Sequence, residues 1–105
     1  MPPGHYNTDL GCSLEQFVHD HLDAVDRRTT LIVCSDGRNN YNDPRFDLIE
    51  RLARRARQTV WFDPEPPDRW ALGDSDMPGY IPHVNAVHQV SNLRQLGEAV
   101  DQLLA

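Results

Sequence analysis

An aspartate follows the most apolar strand-like segment of the chain, at a position where its carboxylate could meet a ligand. Residues 29–34 form a short run rich in β-branched side chains, and Ser35, Asp36 and Gly37 come directly after it. Such a run is typical of a strand buried on both faces of a parallel sheet, and ligands bind beyond the carboxyl ends of such strands. Carboxylate oxygens are also ligands of hard cations. Asp36 is therefore the candidate chemical residue, although Asp-Gly is a common turn pair and a purely structural role stays open.

The elements that would position Asp36 alternate between helix and strand. Each expected helix carries apolar side chains at spacings of three and four, which is the pattern of one buried face. In chain order, the sequence predicts a helix capped by Ser13, a strand at 29–34, a helix capped by Asp43, a strand at 59–62, a long proline-rich connection over 63–84, a strand at 86–90 and a helix capped by Asn92. Strands that alternate with helices predict a parallel sheet with right-handed crossovers. We expect an α/β fold with a small three-stranded parallel sheet flanked by helices.

The bulk composition narrows the class of partner. The 105 residues suit one domain, and the formal net charge is −6, with arginine as the only basic residue type. Nucleic acids and anionic membranes need clustered positive charge, so neither is an expected partner. Cys12 and Cys34 are too few for a disulfide framework, and Cys34, in its apolar run, is expected to be a buried thiol. With no signal-peptide pattern at residue 1, the expected compartment is the cytoplasm.

One short motif suggests an enzyme as the alternative. Cys34-Ser35-Asp36-Gly37-Arg38 resembles the Cys-x-Asp-x-Arg signature of β-class carbonic anhydrases, which would make Cys34 a zinc ligand and Asp36 with Arg38 the pair that guards the site. A catalytic zinc needs three protein ligands. The family takes the other two from a later His-x-x-Cys, but no cysteine follows Cys34 here, and neither His83 nor His88 begins that motif. A zinc lyase is kept as the alternative function.

A longer resemblance covers nearly the whole chain from about Asn7. Its most specific part is Asp-Gly-Arg-Asn-Asn-Tyr-Asn-Asp-Pro over residues 36–44, and it extends over 27–33, 61–66, Trp70, 73–78, Tyr80 and the last helix. These residues closely resemble the corresponding part of bacterial von Willebrand factor A domain proteins of the CoxE-like family. The resemblance implies a doubly wound, Rossmann-like fold and a metal-ion-dependent adhesion site that binds Mg²⁺ or Mn²⁺.

That adhesion site takes its ligands from three loops, and the chain matches two of them. Asp36 matches the aspartate of the third loop and Thr8 the threonine of the second, whereas the Asp-x-Ser-x-Ser motif of the first loop is absent. The chain therefore resembles the C-terminal half of the domain, with an N-terminal loop at residues 1–12, a partial domain at 13–105 and an incomplete metal site.

The missing half has consequences for association. The strand at 29–34, central in the complete domain, becomes an edge, and an exposed apolar edge is a template for pairing with another chain. Helices that would cover the missing half would also show apolar surface. We expect a non-enzymatic interaction or assembly module that forms homo-oligomers or binds a protein partner, for which the resemblance suggests a MoxR-type AAA+ ATPase. Arg38, Asn39, Trp70 and Tyr80 are the candidate binding residues, with a self-packed loop as the alternative for Trp70 and Tyr80. A truncated gene product without an independent role is the third alternative.

Overall fold

Three parallel strands form one sheet in the order β1-β2-β3 in the computed structural model, which describes residues 10–39 and 41–104. The strands are β1 (Thr30–Cys34), β2 (Gln58–Asp63) and β3 (Ala86–Gln89). Thr30 lies opposite Gln58 at the start of the β1–β2 pair, and Val60 lies opposite Ala86 at the start of the β2–β3 pair. The predicted α/β class and three-stranded parallel sheet are confirmed.

In the part of the chain that the structure describes, four helices accompany the sheet: α1 (Leu10–His21), α2 (Phe46–Arg55), the single-turn α3 (Met77–Tyr80) and α4 (Leu93–Leu104). Short 3₁₀ turns cover Leu22–Ala24, Pro67–Arg69 and Ile81–His83. In the described part of the chain, no helix has both the length and the apolar character needed to cross a membrane.

The sheet lies between two apolar layers because successive side chains of a strand point to opposite faces. Trp61 is completely buried among residues of α1, α2 and α3, whereas its neighbours Val60 and Phe62 pack with Ala99 of α4. The central strand β2 is therefore covered on both faces. Its last residue, Asp63, is also completely buried, which brings a carboxylate to the edge of the core.

Two helices begin at positions that differ from the prediction. Helix α1 starts at Leu10, three residues before Ser13, because the backbone N–H of Gly11 donates to the buried side-chain Oδ1 of Asn39 at 2.8 Å and so gains a partner that the helix itself cannot supply. The last residues of the predicted 1–12 loop are thus helical, and residues 1–9 lie outside the described residues. Helix α2 starts at Phe46, after Arg45 in a left-handed conformation.

The expectation that residues 29–34 are buried on both faces is wrong. Strand β1 is at the edge of the sheet, Ile32 is 42% exposed and Cys34 is an exposed free thiol. No neighbouring strand lies beyond β1 among the described residues, so the side chains that face α4 are only partly covered. The edge position is the one expected from the incomplete domain. Helix α4 likewise exposes apolar side chains, namely Leu93, Leu96, Val100 and Leu104.

Candidate functional site

Asp36 lies in the loop that follows β1, at the carboxyl edge of the sheet. Its Oδ1 accepts a hydrogen bond from the backbone N–H of Arg38 at 3.0 Å, and Ser35 Oγ accepts one from the N–H of Gly37 at 3.0 Å. Gly37 has φ +74°, and a Cβ there would collide with the side chain of Met77, so only glycine fits this close approach. The turn role and the ligand position of Asp36 therefore coexist: the carboxylate closes the turn with one oxygen and stays half-buried.

A second carboxylate, Asp63, ends the neighbouring strand at the same edge. Its side chain is completely buried, Oδ1 accepts the backbone N–H of Glu65 at 2.8 Å, and Oδ2 has no hydrogen-bond partner. Burial raises the pKa of Asp63, and the negative charges of Glu65 and Asp36 raise it further, against the lowering effect of the Glu65 N–H. An ionised carboxylate with an unpartnered oxygen is costly to bury, so a negative charge on Asp63 is disfavoured in the folded chain.

The guanidinium of Arg38 organises the loop that faces Asp36. It donates two parallel hydrogen bonds to Glu65, at 3.1 and 2.8 Å, and Nη1 donates to Asp74 at 2.5 Å and to the carbonyl of Leu72 at 3.1 Å. Bidentate arginine–carboxylate contacts are among the stronger polar contacts in proteins. These hydrogen bonds raise the pKa of Arg38 and lower the pKa of Glu65. Arg38 therefore connects β1 to the long connection after β2.

Asn39 and Tyr80, both predicted as binding residues, are completely buried. Besides its contact with Gly11, Asn39 donates from Nδ2 to Asp76 at 2.8 Å and to the Tyr80 hydroxyl at 3.0 Å. That hydroxyl in turn donates to the carbonyl of Pro44 at 2.5 Å, and the Tyr80 ring packs against other aromatic rings of the core. Their contacts are internal, so binding a partner through either side chain would require local opening.

The remaining predicted site residues are dispersed. Trp70 is half-buried, and its indole N–H donates to the carbonyl of Glu65 at 2.8 Å, which fits the self-packed alternative for this loop. Thr8 lies outside the described residues. The structure thus brings together Asp36 and Arg38 and adds to the candidate site Asp63, Glu65 and Asp74, which were not among the predicted site residues. A signal for Asp63 was available, since adjacent parallel strands end at one edge and each is followed or ended by an aspartate.

The donor set fits a hard cation only in part. Carboxylate oxygens are the ligands that Mg²⁺ and Mn²⁺ favour, and the unpartnered Asp63 oxygen is electrostatically coupled to Asp36. Over residues 10–39 and 41–104, however, no three His, Cys, Asp or Glu side chains are grouped as metal ligands. The described residues therefore do not complete a metal site, and further ligands would have to come from Thr8 or from another molecule.

The features of the alternative zinc site are also separated. The Arg38 side chain contacts Glu65 and Asp74, and only its backbone N–H contacts Asp36, so the paired side chains of the carbonic anhydrase signature are not formed. A larger open cavity, about 500 Å³ and lined in part by Glu50, His83 and Asn85, lies at the amino end of β3. That cavity lies at the amino ends of the strands, whereas Asp36 lies at the carboxyl end of β1.

Comparison with known proteins identifies the family. No curated protein and no solved structure matches the chain. The family model described as "VWA domain containing CoxE-like protein" matches residues 4–96, which includes all three strands and the loop that carries Asp36. The chain therefore belongs to the family of VWA domain containing CoxE-like proteins.

Proposed function

We propose that the chain is a non-enzymatic protein-interaction module that binds its partner at the carboxyl edge of the sheet. The observation that carries the proposal is the adjacent placement of Asp36 and Asp63 at the ends of β1 and β2. Electrostatic repulsion from Asp36 contributes to the raised pKa of Asp63, and the buried Asp63 Oδ2 has no hydrogen-bond partner. A positively charged group or a cation brought by a partner would relieve that repulsion. Membership in the family supports an interaction role.

The metal is part of the same proposal. Asp36, with Thr8, would provide protein ligands for Mg²⁺ or Mn²⁺, and the partner would supply a further oxygen ligand. Mg²⁺ demands near-ideal octahedral geometry, so a site with so few protein ligands would bind weakly in the isolated chain. Metal binding is therefore expected to tighten when the partner is present, as linkage between two ligands requires.

The partner we propose is a MoxR-type AAA+ ATPase, and we propose that the two proteins bind in the cytoplasm. The basis is the family, whose members are associated with such ATPases. One feature of the described residues agrees with a role in binding: Arg38 joins the loop beside Asp36 to Glu65 and Asp74 through hydrogen bonds. A preorganised surface loses less entropy on binding.

Calorimetric titration with a purified MoxR-type ATPase, without nucleotide and with Mg²⁺ or a chelator, tests the proposal. The variant Asp36→Asn keeps an oxygen to accept the Arg38 N–H and removes the charge. It should weaken binding roughly tenfold, the effect of about 1.4 kcal/mol. Asp23→Asn, at an exposed position in the 3₁₀ turn after α1, is the matched control and should leave binding unchanged.

The outcomes separate the parts of the proposal. Absence of binding to the ATPase refutes that partner, and binding that is equally strong in Asp36→Asn refutes the role of Asp36. The paramagnetic resonance signal of free Mn²⁺ reports metal directly, since bound Mn²⁺ loses that signal. If the ATPase does not increase the loss of signal with the wild-type chain, the metal is not part of the interaction.

A further inference from the structure

Among residues 10–39 and 41–104, no strand pairs with the outer side of β1. An edge strand presents a row of unpaired N–H and C=O groups, and proteins usually protect it with charged residues, proline or a bulge. Strand β1, Thr30–Cys34, contains none of these residue types. The opposite edge, β3, is one residue shorter and includes His88 and Gln89. The β1 edge is therefore the better template for adding a strand.

Apolar grooves flank this edge on both faces of the sheet. One groove, of about 220 Å³, opens between β1 and α1, and the other, of about 360 Å³, opens between β1 and α4. Cys34 lines both grooves, and Ile32, which borders the groove beside α1, is 42% exposed. Apolar side chains that line them include Leu14, Phe17 and Leu31 on the first face, and Phe62, Val90 and Leu96 on the second. Near Cys34, an added strand would thus meet apolar surface on both faces of the sheet.

The charges that flank β1 select a second copy of the chain as the occupant. Arg27 and Arg28 precede the strand and are exposed, whereas Asp36 follows it. If two copies pair antiparallel about a two-fold axis at Ile32, Arg28 of one copy lies opposite Asp36 of the other at both ends of the pair. A parallel alignment would instead set Arg28 beside Arg28 and Asp36 beside Asp36, and like charges at facing positions destabilise a strand pair.

The same axis also matches the apolar side chains. With Ile32 opposite itself, Leu31 of one strand faces Val33 of the other, on the side of α1 and α2. An isologous contact of this kind needs one surface patch that is complementary to itself, and β1 with its flanking charges has that property. The net charge of −6 opposes close approach of two copies in general. The opposite charges of Arg28 and Asp36 therefore favour contact through β1 over contact through other surfaces.

We infer that two copies of the chain pair antiparallel through β1, with the two-fold axis at Ile32, and form one continuous six-stranded sheet. This pairing goes beyond the proposed function, because it concerns the β1 edge and its tests need neither the ATPase nor a metal. Each copy supplies the neighbour that the β1 edge lacks in the described residues, and the exposed part of Ile32 becomes buried between the two copies.

Sedimentation velocity of the wild-type chain and of two lysine variants tests the contact. At about 100 µM the wild type should sediment as a dimer. Ile32→Lys should raise the dimer dissociation constant on the order of 100-fold, because two ammonium groups would face each other at the axis without a partner. The control Leu93→Lys also introduces a lysine in place of an apolar side chain, at a position of α4 that is 85% exposed. It should leave the dimer intact.

A charge reversal tests the antiparallel alignment. Arg28→Asp alone should weaken the dimer, as should Asp36→Arg alone, and the double variant should restore it because each pair again joins opposite charges. Circular dichroism identifies variants that fail to fold. A monomeric wild type at about 100 µM overturns the inference, as does a dimer that Leu93→Lys dissociates and Ile32→Lys does not. Failure of the double variant to recover overturns the antiparallel register. None of these results depends on ATPase binding.

Discussion

Replacing Asn39 by alanine is expected to cost a large part of the stability of this domain. The Asn39 side chain is completely buried and joins three segments: Gly11 at the start of α1, Asp76 before α3, and the hydroxyl of Tyr80. Alanine cannot donate or accept any of these hydrogen bonds. The Gly11 N–H would lose its acceptor, and the Asp76 carboxylate would lose one donor.

The magnitude follows from the groups left behind. A buried donor without a partner costs about 1–3 kcal/mol, and a hydrogen bond to a charged group contributes about 1.5–3 kcal/mol. We expect Asn39→Ala to lower the free energy of unfolding by roughly 3–5 kcal/mol. Domains of ordinary stability unfold with about 5–15 kcal/mol, so the variant would be close to unfolding at room temperature.

Urea denaturation followed by the fluorescence of Trp61 and Trp70 measures this loss. With a slope of about 1–3 kcal/mol per molar urea, the midpoint should fall by roughly 2 M while the slope stays unchanged. Gln102→Ala, at an exposed position of α4, is the control and should change stability by less than about 0.5 kcal/mol. An Asn39→Ala variant within about 1 kcal/mol of the wild type would show that water or rearranged neighbours replace the Asn39 contacts.

Four further substitutions test other parts of the structure. Gly97→Ala, on α4 with open space around the added methyl group, should raise the free energy of unfolding by about 0.5–1 kcal/mol. Gly11→Ala should lower the free energy of unfolding by about 1–3 kcal/mol, because its methyl group would collide with the carbonyl of Asp43. Urea denaturation of both variants measures these opposite changes in stability. Asp63→Asn should make the free energy of unfolding less dependent on pH. The raised pKa of Asp63 means that the folded state holds the Asp63 proton more tightly than the unfolded state does. The contribution of Asp63 to stability is therefore present at pH values below its usual pKa of 3.8 and is lost as the pH rises through the folded-state pKa. Thermal unfolding at a series of pH values should show that loss in the wild type and not in the variant. Asn92→Ala should remove the side-chain cap that accepts the N–H of Gln95 at 2.8 Å and cost about 1 kcal/mol, measured in the same urea assay.

The strands could be predicted from the sequence because their signals are local. The runs at 29–34, 59–62 and 86–90 are rich in β-branched or apolar residues and end at turn residues, and the observed strands differ from them by one residue at one or both ends. The start of α1 could not be predicted in this way, since the side chain that accepts its Gly11 N–H is 28 residues away in sequence. The exposure of Cys34 was missed for a related reason: an apolar run shows that a strand prefers burial, and does not show whether a neighbour is present to bury it.

The site was predictable only where it depends on strand ends. The place of Asp36 follows from the apolar run before it and the parallel arrangement of the sheet. The contacts of Arg38 with Glu65 and Asp74 depend on how the long connection after β2 packs against the loop that follows β1. The sequence of that connection has no periodic pattern from which this packing could be predicted. The same limit applies to Tyr80, whose burial beside Trp61 and Phe46 results from the single turn α3 within that connection.

The all-parallel sheet also determines how this chain can fold. Thr30 and Gln58, at the start of the β1–β2 pair, are 28 residues apart, and the β2–β3 pair spans a similar distance, so no strand pair can form as a local hairpin. Each pairing must wait for a long loop to close, and domains dominated by such contacts fold more slowly than helical proteins of the same size. During that delay the apolar β1 strand is exposed in every molecule. Refolding at low protein concentration should therefore give a higher yield of native chain than refolding at high concentration.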